Sequence, residues 1–156
     1  MKLKLPSAIY SLDHVRFCAE ELIAYSSALG QLQRSGAKAA PPQLSAESAE
    51  LLGQLTAADQ QKPEAILQAV GWLEGLERKA KTVSISLVGA PPYRLKLEIV
   101  EWLRVNVQPL AMVDFHASPD IAGGVIIRTS SALYDNSFRS LLAAKSQRLT
   151  EILDHV

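Results

Sequence analysis

Apolar residues recur along the first half of the chain at helical spacing. Ile9, Leu12, Phe17, Leu22, Ile23, Tyr25 and Leu29 recur at helix-like spacings, with Arg16, Glu20 and Glu21 between them, which predicts a helix over Pro6–Leu32. Pro6 fits a first helical turn, where its missing N–H is not needed. The stretch 34–43 carries Ser-Gly-Ala-Lys-Ala-Ala-Pro-Pro and reads as a loop, because consecutive prolines cannot continue a helix. Ser45 is the expected N-cap of a second helix with Leu51, Leu52 and Leu55 as its apolar patch. Pro63 opens a third, in which Ile66, Leu67, Val70, Leu73 and Leu76 make one stripe and Arg78-Lys79-Ala80-Lys81 form a basic last turn.

The period changes at Thr82. Val83, Ile85 and Leu87 alternate with Thr82, Ser84 and Ser86, the pattern of a strand with one buried face. Gly89-Ala90-Pro91-Pro92 stops it, and a helix is expected over Tyr93–Val107. On that helix Leu95, Ile99, Trp102 and Leu103 form the expected core face, and Tyr93, Leu97 and Val100 a second stripe on another side. Two apolar runs follow, Leu110–His116 and Ile121–Arg128. The turn Ala-Ser-Pro-Asp between them predicts an antiparallel hairpin, with Gly123-Gly124 inside its second strand. Paired glycines in a strand imply a bulge or a close backbone approach, so Gly123 and Gly124 are expected to be structural. After a polar turn at Thr129–Ala132, Tyr134-Asp135-Asn136-Ser137 is expected to open a final helix to about Asp154, with Asp135 among its capping residues.

A strand, a crossover helix and a second strand imply a parallel pair with a right-handed connection. The fold class expected is therefore α+β: an N-terminal helix bundle over 1–81, then a small mixed-sheet α/β domain over 82–156.

Composition narrows the function. The chain has 156 residues, 48% of them hydrophobic, enough to bury a core. Its 16 basic and 16 acidic residues cancel, and they cancel within each half as well, leaving no electrostatic footprint for nucleic acid or an anionic membrane surface. Cys18 stands alone, which excludes an intramolecular disulfide and a cysteine-based zinc site and fits a reducing interior. No secretory leader is expected from Met1-Lys2-Leu3-Lys4-Leu5, and charges interrupt every candidate run of about 18 apolar residues.

Chemistry is sparse. His14, His116 and His155 lack metal-ligand neighbours at helix or hairpin spacing. Asp114 and His116 share a strand face, but the nearby Ser118 is a turn residue rather than a poised nucleophile. Phosphate-binding loops place glycines between a strand and a helix N-terminus, not in mid-strand like Gly123-Gly124. Pro91-Pro92 removes the donors an anion would need before the second-half helix.

The ordered set Pro119-Asp120-Ile121-Ala122-Gly123-Gly124-Val125-Ile126-Ile127-Arg128 and Tyr134-Asp135-Asn136-Ser137-Phe138-Arg139, with Val83-Ser84-Ile85-Ser86 and its following Ala-Pro-Pro, resembles the delta subunit of F-type ATP synthases. In mitochondria that family is called the oligomycin sensitivity-conferring protein. The resemblance covers roughly residues 82–150. It implies a non-catalytic peripheral-stalk subunit with no cofactor and no metal, cytoplasmic and peripheral to the inner face of the cell membrane. The implied partners are N-terminal segments of ATP synthase alpha subunits and the b-type stalk subunits, with membrane association only through the complex. The family's N-terminal bundle has more helices than the three or four that fit in residues 1–81. Two other readings are kept: the E-type stalk subunit of archaeal or vacuolar-type ATPases, and a free-standing protein-interaction adaptor. Prolines 41, 42 and 63 interrupt the long N-terminal stalk helix that an E-type subunit needs. The surface expected to take a stalk helix comprises Tyr93, Leu97, Val100, Phe138, Leu142 and Leu149, between the second-half helices.

Overall fold

The computed structural model describes residues 3–36 and 40–153, with side chains described as far as Lys145. The fold is α+β: three packed N-terminal helices precede a four-stranded mixed sheet with interleaved helices.

Helix α1 spans Leu12–Ser35, six residues later than the apolar spacing implies. Ser11 sets its start, accepting the His14 N–H at 3.3 Å, and Gly36 ends it in the left-handed region at φ 65°. Helix α2 covers Ala46–Gly53 behind the Ser45 cap. The Glu21 carboxylate of α1 accepts both the N–H of Ser45, at 3.0 Å, and its hydroxyl, at 2.6 Å, which fastens the start of α2 to α1. Helix α3 runs over Pro63–Lys79 with its proline in the first turn and Arg78 and Lys79 in the last. Leu22, Leu51, Ile66 and Leu73, each at most 1% exposed, form the centre of the helical core. The segment before α1 is a non-helical strap, with a turn at Ser7-Ala8, that contributes Leu5 and Ile9 to the same core.

Strand β1 (Thr82–Leu87) is followed by α4 (Tyr93–Asn106) and β2 (Met112–Ala117). β3 (Gly124–Arg128), β4 (Leu133–Ser137) and α5 (Phe138–Leu153) complete the described chain. The sheet order is β2-β1-β3-β4, with β2 parallel to β1 and the other neighbours antiparallel.

The expected hairpin of β2 with β3 does not form, because β1 lies between them. The Pro-Asp turn becomes a short 3-10 turn, Pro119–Ile121, with Ile121 buried. A turn signal fixes a change of direction, not the partner. β1 has the cleanest alternation and takes the interior place, where both of its edges are paired. The hairpin that does form is β3–β4, closed at Thr129–Ala132. There Thr129 Oγ1 accepts the Ala132 N–H at 3.0 Å.

Helix α4 covers one sheet face. Val100, fully buried, packs with Val83, Ile85 and Val113, while Ile99 and Leu103 close the sides. This corrects two expectations. Val100 is core rather than part of an outward stripe. Leu95 and Trp102, expected in the core, are exposed, Trp102 by 60%. The helix is turned by about 100°, one residue's rotation, from the face its apolar spacing favours. The cause lies in two charged residues on the sheet side. Lys96 extends over the Tyr10 and Phe115 rings at 5.9 and 5.8 Å, and Arg104 reaches the strap, so each lays an apolar stem along the core.

Candidate functional site

Glycines 123 and 124 do not lie in mid-strand. They follow Ala122 in a run of three positive-φ residues and carry the chain from the 3-10 turn into β3. A Cβ on Gly124 would collide with the Asn136 carbonyl oxygen and lie 2.9 Å from Ser137 Cα, so β3 and β4 meet there closer than a side chain permits. A Cβ on Gly123 would strike the Phe138 ring, and the Phe138 N–H donates to Gly123 O at 2.9 Å. The pair therefore fixes where β4 ends and where α5 leaves the sheet.

Tyr134 to Ser137 belong to β4 and not to the opening of a helix. Within that stretch Ser137 caps α5, its Oγ accepting the Ser140 N–H at 3.2 Å, and Asp135 Oδ1 accepts the Ser137 N–H at 2.9 Å. Hydrogen bonds from Ser137 hold the Asp135 carboxyl below its ordinary value.

Beyond that junction α5 presents an apolar ridge to solvent, and β4 carries two exposed apolar side chains that alternate across the sheet. Leu133 and Tyr134 on β4 and Phe138, Leu141 and Leu142 on α5 are all exposed, Phe138 by 54% and Leu142 by 61%. Positions 138, 141 and 142 share one helical face. Of the residues expected at a partner surface, Phe138 and Leu142 lie on this ridge. Tyr93 is exposed at the start of α4, and Leu97 is half-buried. Val100 is buried beneath α4 and unavailable to a partner. The Leu149 side chain lies outside the described residues. Leu133 and Tyr134, missed because neither belongs to an apolar run, pair with Arg128 and Ile127 of β3 and are exposed.

A concavity of about 430 Å³ opens where the strap meets β2. Tyr10, His14, Lys96, Asp114, Phe115 and His116 line it. His14 Nδ1 lies 3.1 Å from Ala8 O, and Ser11 Oγ, which also lines the cleft, accepts a backbone N–H as the α1 cap. Ser118 does not line this cleft. Among the described residues no three His, Cys, Asp or Glu side chains converge as metal ligands, and no helix is long and apolar enough to cross a membrane. His155 lies outside the described residues.

No protein-family model matches the chain, and no curated protein matches it.

Proposed function

We propose that the chain is a non-catalytic peripheral-stalk subunit of a rotary F-type ATP synthase, linking the catalytic head to b-type stalk helices. The observation that carries this reading is the solvent-facing α5 ridge Phe138–Leu141–Leu142. It stands directly after the Gly-Gly and Tyr-Asp-Asn-Ser residues on which the family resemblance rests. Leaving several large apolar side chains together in water is unfavourable, and such patches mark docking surfaces. Anchors at i, i+3 and i+4 on a helix suit an amphipathic partner helix.

A stator resists the torque that drags the head with the rotor. That task needs contact area rather than reaction chemistry, and it is compatible with a balanced charge and a capped, hydrogen-bonded Ser11 in the polar cleft. The E-type alternative is less well supported, because α1 to α3 fold back on one another around Leu22, Ile66 and Leu73 instead of extending as one stalk helix. A free-standing adaptor would use the same ridge with a partner outside any ATPase.

Affinity capture of the tagged full-length protein from native membranes separates these readings. The stator reading expects alpha and b-type subunits to co-purify with it at stable ratios through a sizing column. Recovery of the protein free of both, from membranes whose ATP synthase stays intact, would contradict it.

A further inference from the structure

The strap before α1 touches both halves of the molecule. On one side Leu5 and Ile9 bury among Leu22, Ile66 and Leu73 of the helical core. On the other, Tyr10 packs edge-on to Phe115 of β2 at 5.8 Å, and Tyr10 O accepts the Val113 N–H at 2.6 Å. Strap residues thus lie in one core and at the margin of the other.

Arg104, from α4, holds the strap in place. Its Nη1 donates to Leu5 O and Pro6 O at 3.2 and 2.8 Å, and its Nη2 to Ile9 O at 2.6 Å. Nε reaches Ala111 O at 3.4 Å, at the entry to β2. Burial pulls the guanidinium down to about 10, still well above neutral pH, so the group is a cation there. A half-buried cation with no carboxylate among these partners relies on the carbonyls of the strap and of the β2 entry. If the strap leaves, the guanidinium loses three of its four acceptors, and exchanging these charge-assisted bonds for water is unfavourable. The sheet half thereby senses whether the strap is seated, and the strap is seated only while the helical core is closed around Ile9.

We infer that the strap, latched by Arg104, is a coupling device that makes the helical half and the sheet half open as one unit, adding to the direct contact that Met112 of β2 makes in the helical core. In a stator such coupling would carry torque from one partner to the other. The coupling itself belongs to the chain and is measured with no partner present.

Native-state hydrogen exchange on the full-length protein tests it. In the wild type, the slowest amides of β1 and β3, such as Ile85 and Ile127, should exchange within roughly tenfold of those of α1 and α3, such as Leu22 and Leu73. In Arg104→Met the sheet amides should accelerate at least tenfold more than the helical ones. Arg104→Lys keeps the charge but loses the forked geometry, and it should show the same split to a smaller degree, which keeps the test available if Arg104→Met does not fold. Arg94→Met, which breaks only the exposed pair with Glu98 on the same helix, should leave both sets unchanged. A wild-type gap above tenfold, or sheet and helical amides that accelerate equally in the Arg104 variants, would overturn the inference.

Discussion

Gly124→Ala should lower the stability of the full-length protein by about 3–4 kcal/mol, the largest effect expected from adding a single methyl group. Two contributions add. Gly124 sits at φ +83°, a conformation that costs an L-residue on the order of 1–3 kcal/mol. Its Cβ would also enter the backbone of β4 at Asn136 and Ser137. A backbone paired across a hairpin cannot turn aside as a side chain can, so the clash is relieved only by loosening the β3–β4 ladder. Other glycines separate the two contributions. Gly36 has φ +65° and, among the described residues, nothing near its would-be Cβ, so Gly36→Ala should show the conformational part alone, about 1 kcal/mol. Gly89 has neither constraint, and Gly89→Ala should be close to neutral. At Gly123 the obstacle is the half-exposed Phe138 ring, which can swing away, so Gly123→Ala should also tilt the start of α5. Urea unfolding of the four variants gives the ranking. A Gly124→Ala protein within about 0.5 kcal/mol of the wild type would show that the strands are not held at that separation.

Leu142→Glu should have a small effect on folding and a large one on partner binding. The side chain is 61% exposed, so the substitution should change stability by no more than about 0.5 kcal/mol. On a seated stalk helix the new carboxylate would be desolvated against apolar anchors. The expected loss is about 2–3 kcal/mol, a roughly 30- to 150-fold weaker complex with the C-terminal segment of a b-type subunit. Glu98→Gln, on α4 away from the ridge, is the matched control and should leave the titration unchanged. Leu97→Glu is a poorer probe than its place in the sequence implies, because Leu97 is half-buried beside the fully buried Val100. Equal affinities for the wild type and Leu142→Glu would mean that α5 does not present the anchors.

The elements that were legible in the sequence are those where one physical signal dominates. Ser45 and Pro63 begin helices because capping and a missing N–H act locally. Thr82–Leu87 is a strand because its alternation separates an apolar face from a polar one. Four features escaped for identifiable reasons. The spacing of Ile9 to Leu12 matches a helix and hid the strap, although Ser11 with Asp13 in the following turn marks the real start. The α4 face was misjudged because Lys96 and Arg104 occupy sheet-side positions with charged tips. β4 was invisible because Leu133 to Asn136 are all exposed, leaving no alternation to detect. Strand pairing across the Pro-Asp turn failed because long-range pairing is set by which strand has two edges to satisfy, and that is not written in the turn. Of the candidate surface, Phe138 and Leu142 were legible as a helical stripe. Leu133 and Tyr134 are exposed on β4, which carries no such stripe.

The claim at the centre of this account is that the α5 ridge faces a stalk helix in the assembled enzyme. Leu142→Cys tests it in place. The native Cys18 is 1% exposed and burial pushes its thiol up, so an added surface thiol is the reactive one. A short bifunctional maleimide applied to assembled ATP synthase containing the Leu142→Cys protein should join this chain to a b-type subunit. An assembled complex that contains the variant yet yields no product with a b-type subunit, or only products with other subunits, would contradict the account.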